Sequence, residues 1–198
     1  MTFVTLLSHA LHDRWQRFVE GRAALAVLFA WALAEATLWP IVPDSLLAPM
    51  ALVRRAGRWR LIAACVTGMA LGGVVTVLVA HSAPGFALDL LRDLPLVTES
   101  QIEGARDRLD DHGAAGFLIQ PVSGIPFKAW AVMAGVKGIG PALVIPVFIA
   151  ARGARMFATG VVAGTIGHLL RRRLREWFAV VVAIYVVGFA IGFYGVVL

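Results

Sequence analysis

The stretch AALAVLFAWALAEATLWPIVPDSLLAPMALV, residues 23–53, decides the fold. It is apolar enough to cross a bilayer once, which takes about 20 residues. Yet Glu35, Pro40, Pro43, Asp44 and Pro49 interrupt it. Proline lacks an amide donor and clashes with the preceding turn, so no straight helix runs through this segment. Backbone groups freed at membrane depth survive only when buried in protein or lining a watery cavity. The run is therefore expected to enter the membrane, turn near Pro40 and Pro43, and leave on the side it entered. A full crossing by residues 23–39 is the alternative. It would place Arg54, Arg55, Arg58 and Arg60 outside, against the cytoplasmic retention of positive residues.

A second stretch, GAAGFLIQPVSGIPFKAWAVMAGVKGIG at 113–140, repeats the pattern. Gln120, Pro121, Ser123, Gly124, Pro126 and Lys128 break it, and Pro121, Pro126 and Gly135 are expected to shape this hairpin as Pro40 and Pro43 shape the first. Each broken stretch precedes a spanning run: residues 61–83, with Gly68, Gly72 and Gly73 on one face, and residues 141–170, with Arg152 and Arg155 near the middle. Between the two units, residues 84–112 set Arg92, Arg106 and Arg108 against seven carboxylates, an acidic helical loop. Residues 1–22 place Phe3, Leu7, Leu11, Trp15 and Phe18 at helical spacing, as in a helix lying in the interface. Residues 177–198 form a plain spanning run after Arg171, Arg172, Arg173 and Arg175.

With the basic clusters kept inside, the acidic loop falls outside and the two units have opposite orientation. The expected fold is thus an all-α integral membrane protein: two inverted units of re-entrant hairpin plus transmembrane helix over 23–170, and a C-terminal transmembrane helix. Inverted repeats of this kind place a site near the bilayer midplane.

Composition agrees with a membrane domain, with 60% hydrophobic and 15% charged residues and a mean hydropathy of +0.82. The net charge of +6 sits in short clusters beside apolar runs, which fits anionic lipid headgroups and not nucleic acid. Cys65, the single cysteine, lies in an apolar run and forms neither an intrachain disulfide nor a thiolate cluster. The first 20 residues lack the ordered parts of a cleaved leader, so insertion is expected to use the first membrane segment.

Two facing breaks imply a shared chamber. The first delivers Glu35 and Asp44, the second Gln120, Ser123 and Lys128, and the adjoining helix Arg152 and Arg155. A charge at bilayer centre costs about 2.5–3.5 kcal/mol on insertion scales, so pairing or hydration is expected. Glu35 and Asp44 are the candidate proton-linked acids. Lys128, Arg152 and Arg155 are the candidate anion-binding bases, with Gln120 and Ser123 as neutral partners. Plainer roles stand beside these: Glu35 as a tether to Lys128 or Arg152, Asp44 as the N-cap of a short helix, Arg155 as a snorkelling side chain. His81 and His168 lie near helix ends and suggest no metal, and Ser123 lacks a base or Gly-x-Ser-x-Gly setting. Neither an enzyme nor a cofactor is expected.

Four pieces in order, EATLWPIVPDSLLAPMAL (35–52), TGMALGG, GIPFKAWAVMAGV (124–136) and FIAARGARMF (148–157), resemble the DedA/VTT superfamily of SNARE-associated Golgi proteins. The likeness is closest to its YqaA-like bacterial branch. It implies two facing re-entrant hairpins and residence in the bacterial cytoplasmic (inner) membrane as a multi-pass protein. It also implies proton-motive-force-dependent movement of an anionic lipid, polyprenyl phosphate or phospholipid, with the family's acids at Glu35 and Asp44. Better-known members carry an arginine on each side of the second hairpin's proline. Here Ser123 stands before Pro126 and Lys128 after it, and Arg152 and Arg155 would supply the missing charge. The leading expectation is a transporter or flippase-like translocase with membrane lipid and protons as partners. The alternative is a non-transporting factor assisting envelope assembly through its glycine faces, which also permit a homodimer.

Overall fold

The computed structural model describes residues 3–54 and 56–197, and side chains within 5–54 and 56–191. Arg55 of the first basic loop and the Phe3 side chain lie outside these. Among the described residues the chain is helical throughout, without strands. Its α-helices are α1 (Phe3–Glu20), α2 (Arg22–Thr37), α3 (Asp44–Val53), α4 (Arg58–Ser82), α5 (Pro84–Asp93) and α6 (Glu99–His112). A 3-10 segment (Gly113–Val122) leads to α7 (Phe127–Val136), α8 (Pro141–Leu169) and α9 (Arg171–Val197). Among the described residues, three helices are long and apolar enough to cross a membrane: Arg58–Ser82, Pro141–Leu169 and Arg171–Ile191.

Local chemistry sets the boundaries. Pro40 and Pro43 end α2 and hold the chain open until Asp44. Pro95 separates α5 from α6, which starts with a capping box: the Gln101 amide donates to Thr98 Oγ1, and Gln101 Oε1 accepts from the Thr98 amide at 3.0 Å. α7 closes in a Schellman turn, with Gly138 at φ +74° and the Ile139 amide donating to Ala134 O at 2.9 Å. Some boundaries differ from the sequence reading: α4 begins at Arg58 and not at residue 61, and residues 84–112, read as one helical loop, are divided at Pro95 into α5 and α6. α9 begins at Arg171, so the arginine cluster forms its first turn and is not a linker before residue 177.

α4 and α8 form the centre and pack on each other. The shorter elements exchange partners around them. α2 lies on α4 and α3 on α8, whereas the 3-10 segment lies on α8 and α7 on α4. Glycines make these contacts close. A Cβ on Gly68 would sit 2.3 Å from Phe29 O, one on Gly72 2.7 Å from Leu33 O, and one on Gly135 2.5 Å from Val77 O. Gly167 likewise admits Leu52 of α3. The glycine faces of α4 and α8 are thus filled by the chain's own helices. Thr76 Oγ1 adds a bond to Ala36 O at 2.9 Å.

α7 is buried on every side, as its sequence, apolar except for Lys128, requires. α5 and α6 cover it from one side. At the other end of the molecule, α1 lies along α9. Arg175 donates to Asp13 at 2.8 Å, and the His12 ring meets Phe178 edge-on at 5.3 Å.

Candidate functional site

The two chain breaks meet at one cavity of about 250 Å³. Its wall includes Glu35 from α2, Pro40 and Val42 from the first break, and Gln120, Pro121, Pro126 and Lys128 around the second. Arg152 and Arg155 of α8 reach it, and Pro95–Val97 of the α5–α6 connection close one side. Glu35, Lys128 and Arg152 are buried, at 4%, 3% and 2% exposure.

Arg152 Nη1 lies 3.2 Å from both oxygens of Glu35, donating to Oε1. Glu35 Oε2 and Gln120 Oε1 have no hydrogen-bond donor among the described residues. The Arg152 guanidinium also lies 5.4 Å from the Phe127 ring and 6.0 Å from Phe148, two rings stacked at 3.9 Å. A flat cation fits such an aromatic floor well. Arg152 is thus held in position by more than Glu35.

Lys128 crosses the cavity from the start of α7 and donates to Trp39 O at 2.7 Å. Pro40 supplies no amide, and the carbonyl ahead of it is left outside any helix. The second break thereby satisfies the first, which is the accounting a buried break demands.

Gln120 and Ser123 mainly hold their own turn. Gln120 Nε2 donates to Ile125 O at 3.2 Å, Ser123 Oγ to Gln120 O at 2.9 Å, and the Ile125 amide to Ser123 Oγ at 3.2 Å. Gln120 still lines the cavity, whereas Ser123 does not. Gly124, at φ +70°, completes the turn.

Asp44 stands one residue behind the wall. Arg155 Nη2 lies 3.0 Å from its Oδ2, and Thr159 Oγ1 donates to its Oδ1 at 2.8 Å. Its carboxylate makes no cap bond, and the N-cap position belongs to Pro43. Arg155 is therefore paired. Gly135 lies away from the cavity, in the last turn of α7 against α4.

Sequence reasoning missed Thr159, Phe127, Phe148 and the Pro95–Val97 rim. Thr159 was within reach, since residues 152, 155 and 159 share one helical face. The aromatic pair had no signal beyond apolar spacing. Three bases and two acids thus converge where two chain breaks face each other, leaving one positive charge in excess. No family model, curated protein or solved structure matches the chain.

Proposed function

We propose that the chain is a proton-coupled translocase of the DedA/VTT type that moves an anionic lipid headgroup, a polyprenyl or phospholipid phosphate, across a bacterial cytoplasmic membrane. One observation carries this reading: a buried Glu35–Arg152 pair on the wall of a cavity that Lys128 and Arg155 also reach. An incoming anion and the Glu35 carboxylate compete for the same guanidinium. Protonation of Glu35 removes its charge and leaves Arg152, on its aromatic floor, to the anion. When the anion departs, Glu35 gives up the proton and takes Arg152 back. Binding of one anion is thereby linked to one proton. Arg155, on the same wall, repeats the pairing with Asp44 behind it.

Several features support the hairpin arrangement on which this depends. α3 and α7, at 10 residues each, are about 15 Å long, half of the roughly 30 Å of hydrocarbon. The exchange of partners between the short elements and α4 and α8 matches two copies of one plan in opposite orientation. The cavity, at about 250 Å³, lies below the roughly 300–1,000 Å³ of sites that enclose drug-sized ligands. It suits a headgroup whose tail stays in the lipid.

Flux in proteoliposomes tests the reading. Glu35→Gln and Arg152→Ala proteins that still fold are expected to lose proton-dependent transport of a labelled anionic lipid. Wild-type flux in both removes the mechanism.

A further inference from the structure

The basic end of the molecule holds a second pocket, distinct from the central cavity. Arg58 opens α4 and Arg171 opens α9, and neither first turn contains an acid. Cations at helix N-termini oppose the helix dipole, whereas an anion there is favoured by it and by the free amides. Both arginines line a small, mainly polar pocket with Arg54, His12, Gln16 and His168. Arg58 and Arg171 have no ion-pair partner among the described residues. Arg54, buried to 7% exposure, donates to Val19 O and Ala56 O and retains further donors. The pocket is built for Arg58: its side chain crosses Gly164 of α8, where a Cβ would lie 2.3 Å from its Cδ.

Leu52 is shared between this pocket and an apolar groove of about 720 Å³ between α1, α3, α8 and α9. The groove runs from Leu52, Ile166 and Phe178 near the basic end to Ser45 and Tyr185. Five residues of α3, from Ser45 to Leu52, and four of α9, from Phe178 to Tyr185, line its length, about 10 Å at the helical rise. Its walls are almost entirely hydrocarbon, with Arg14 and Ser45 as polar exceptions.

We infer that this composite site holds one anionic glycerophospholipid, its phosphate on Arg54, Arg58 and Arg171 and one acyl chain in the groove. The unpaired arginines at the groove's end select the occupant by charge. A zwitterionic lipid leaves their charge in excess, and a free phosphate leaves the groove empty. The lipid would bridge α1 and α9 to α3 and α8, joining the peripheral helices to the centre. This site does not depend on the transport reading.

Native mass spectrometry of the delipidated full chain tests the inference, titrating phosphatidylglycerol, phosphatidylcholine of equal chain length, or glycerol 3-phosphate. One saturable phosphatidylglycerol site is expected, tighter than that for phosphatidylcholine. Arg171→Ala, at an exposed position, is expected to weaken it about fivefold, one arginine's attraction to an anionic lipid, without changing phosphatidylcholine. Gly164→Ala, which displaces only the flexible Arg58 side chain, is expected to do the same. Ala163→Trp, filling the groove, is expected to weaken phosphatidylglycerol but not glycerol 3-phosphate. Equal binding of the two lipids, an unaffected Arg171→Ala protein, or glycerol 3-phosphate binding as tightly as phosphatidylglycerol would each overturn it.

Discussion

Glu35 and Arg152 illustrate what a buried pair costs and what it makes possible. Removing one partner strands the other charge in a low-dielectric site, at about 3–5 kcal/mol, whereas removing both costs far less. Glu35→Gln and Arg152→Gln are therefore each expected to lower the melting temperature in detergent. The double variant is expected to recover most of the loss, and additive losses would mean the two do not interact. Glu35, Lys128 and Arg152 were legible in the sequence because a charge inside an apolar run is too costly to be incidental. The division of labour around them was not. Ser123 and Gln120 spend hydrogen bonds on their own turn, and a polar side chain in a broken segment looks the same in sequence whether it serves the backbone or a ligand. Thr159 was marked only by the helical face it shares with Arg152 and Arg155, since a helical threonine ordinarily bonds back to its own helix.

At the scale of elements, close approach depends on a few missing methyl groups. Gly68→Ala sets a Cβ against backbone of α2 that cannot move aside, and a loss of about 1–3 kcal/mol is expected. Gly188→Ala meets open space and is expected to be neutral or slightly stabilising, by up to about 1 kcal/mol. Thermal unfolding of both proteins checks the contrast. The elements themselves were readable where proline interrupts an apolar run, as at Pro40 and Pro43, whereas the break at Pro95 fell inside a stretch read as one helical loop. The 3-10 form of residues 113–122 had no such signal, because ten residues of that geometry are unusual and their apolar sequence is compatible with an α-helix. The start of α9 was misplaced because arginines in a first turn run against the dipole preference. The glycine faces were visible, but a sequence does not say which helix fills them, so a dimer contact seemed as natural as the internal one.

Across the whole molecule, the most extensive packing of α1 is against α9. The Asp13 carboxyl is held below its ordinary value by its hydrogen bond from Arg175, and next by that with His12. A depressed carboxyl contributes stability that is present above the unfolded value, about 3.9, and is lost as pH falls through the folded one. The protection of α1 amides relative to their intrinsic exchange rate is expected to stay high near neutrality and to fall in acid below that range. Asp13→Asn is expected to lower it already at pH 7, and pH-independent protection in the wild type would exclude the contribution.

Long-range assembly was the least legible level. That the two breaks would join through Lys128 and Trp39 O, 89 residues apart, depends on carbonyl accounting, which periodicity does not reach. The proposed coupling of anion to proton rests on that assembly. It is tested most directly by mixing the purified protein with a short-chain polyprenyl phosphate in weakly buffered solution and following pH. The account predicts uptake of close to one proton per anion bound, abolished in Glu35→Gln. Anion binding of full stoichiometry with no proton uptake would contradict it.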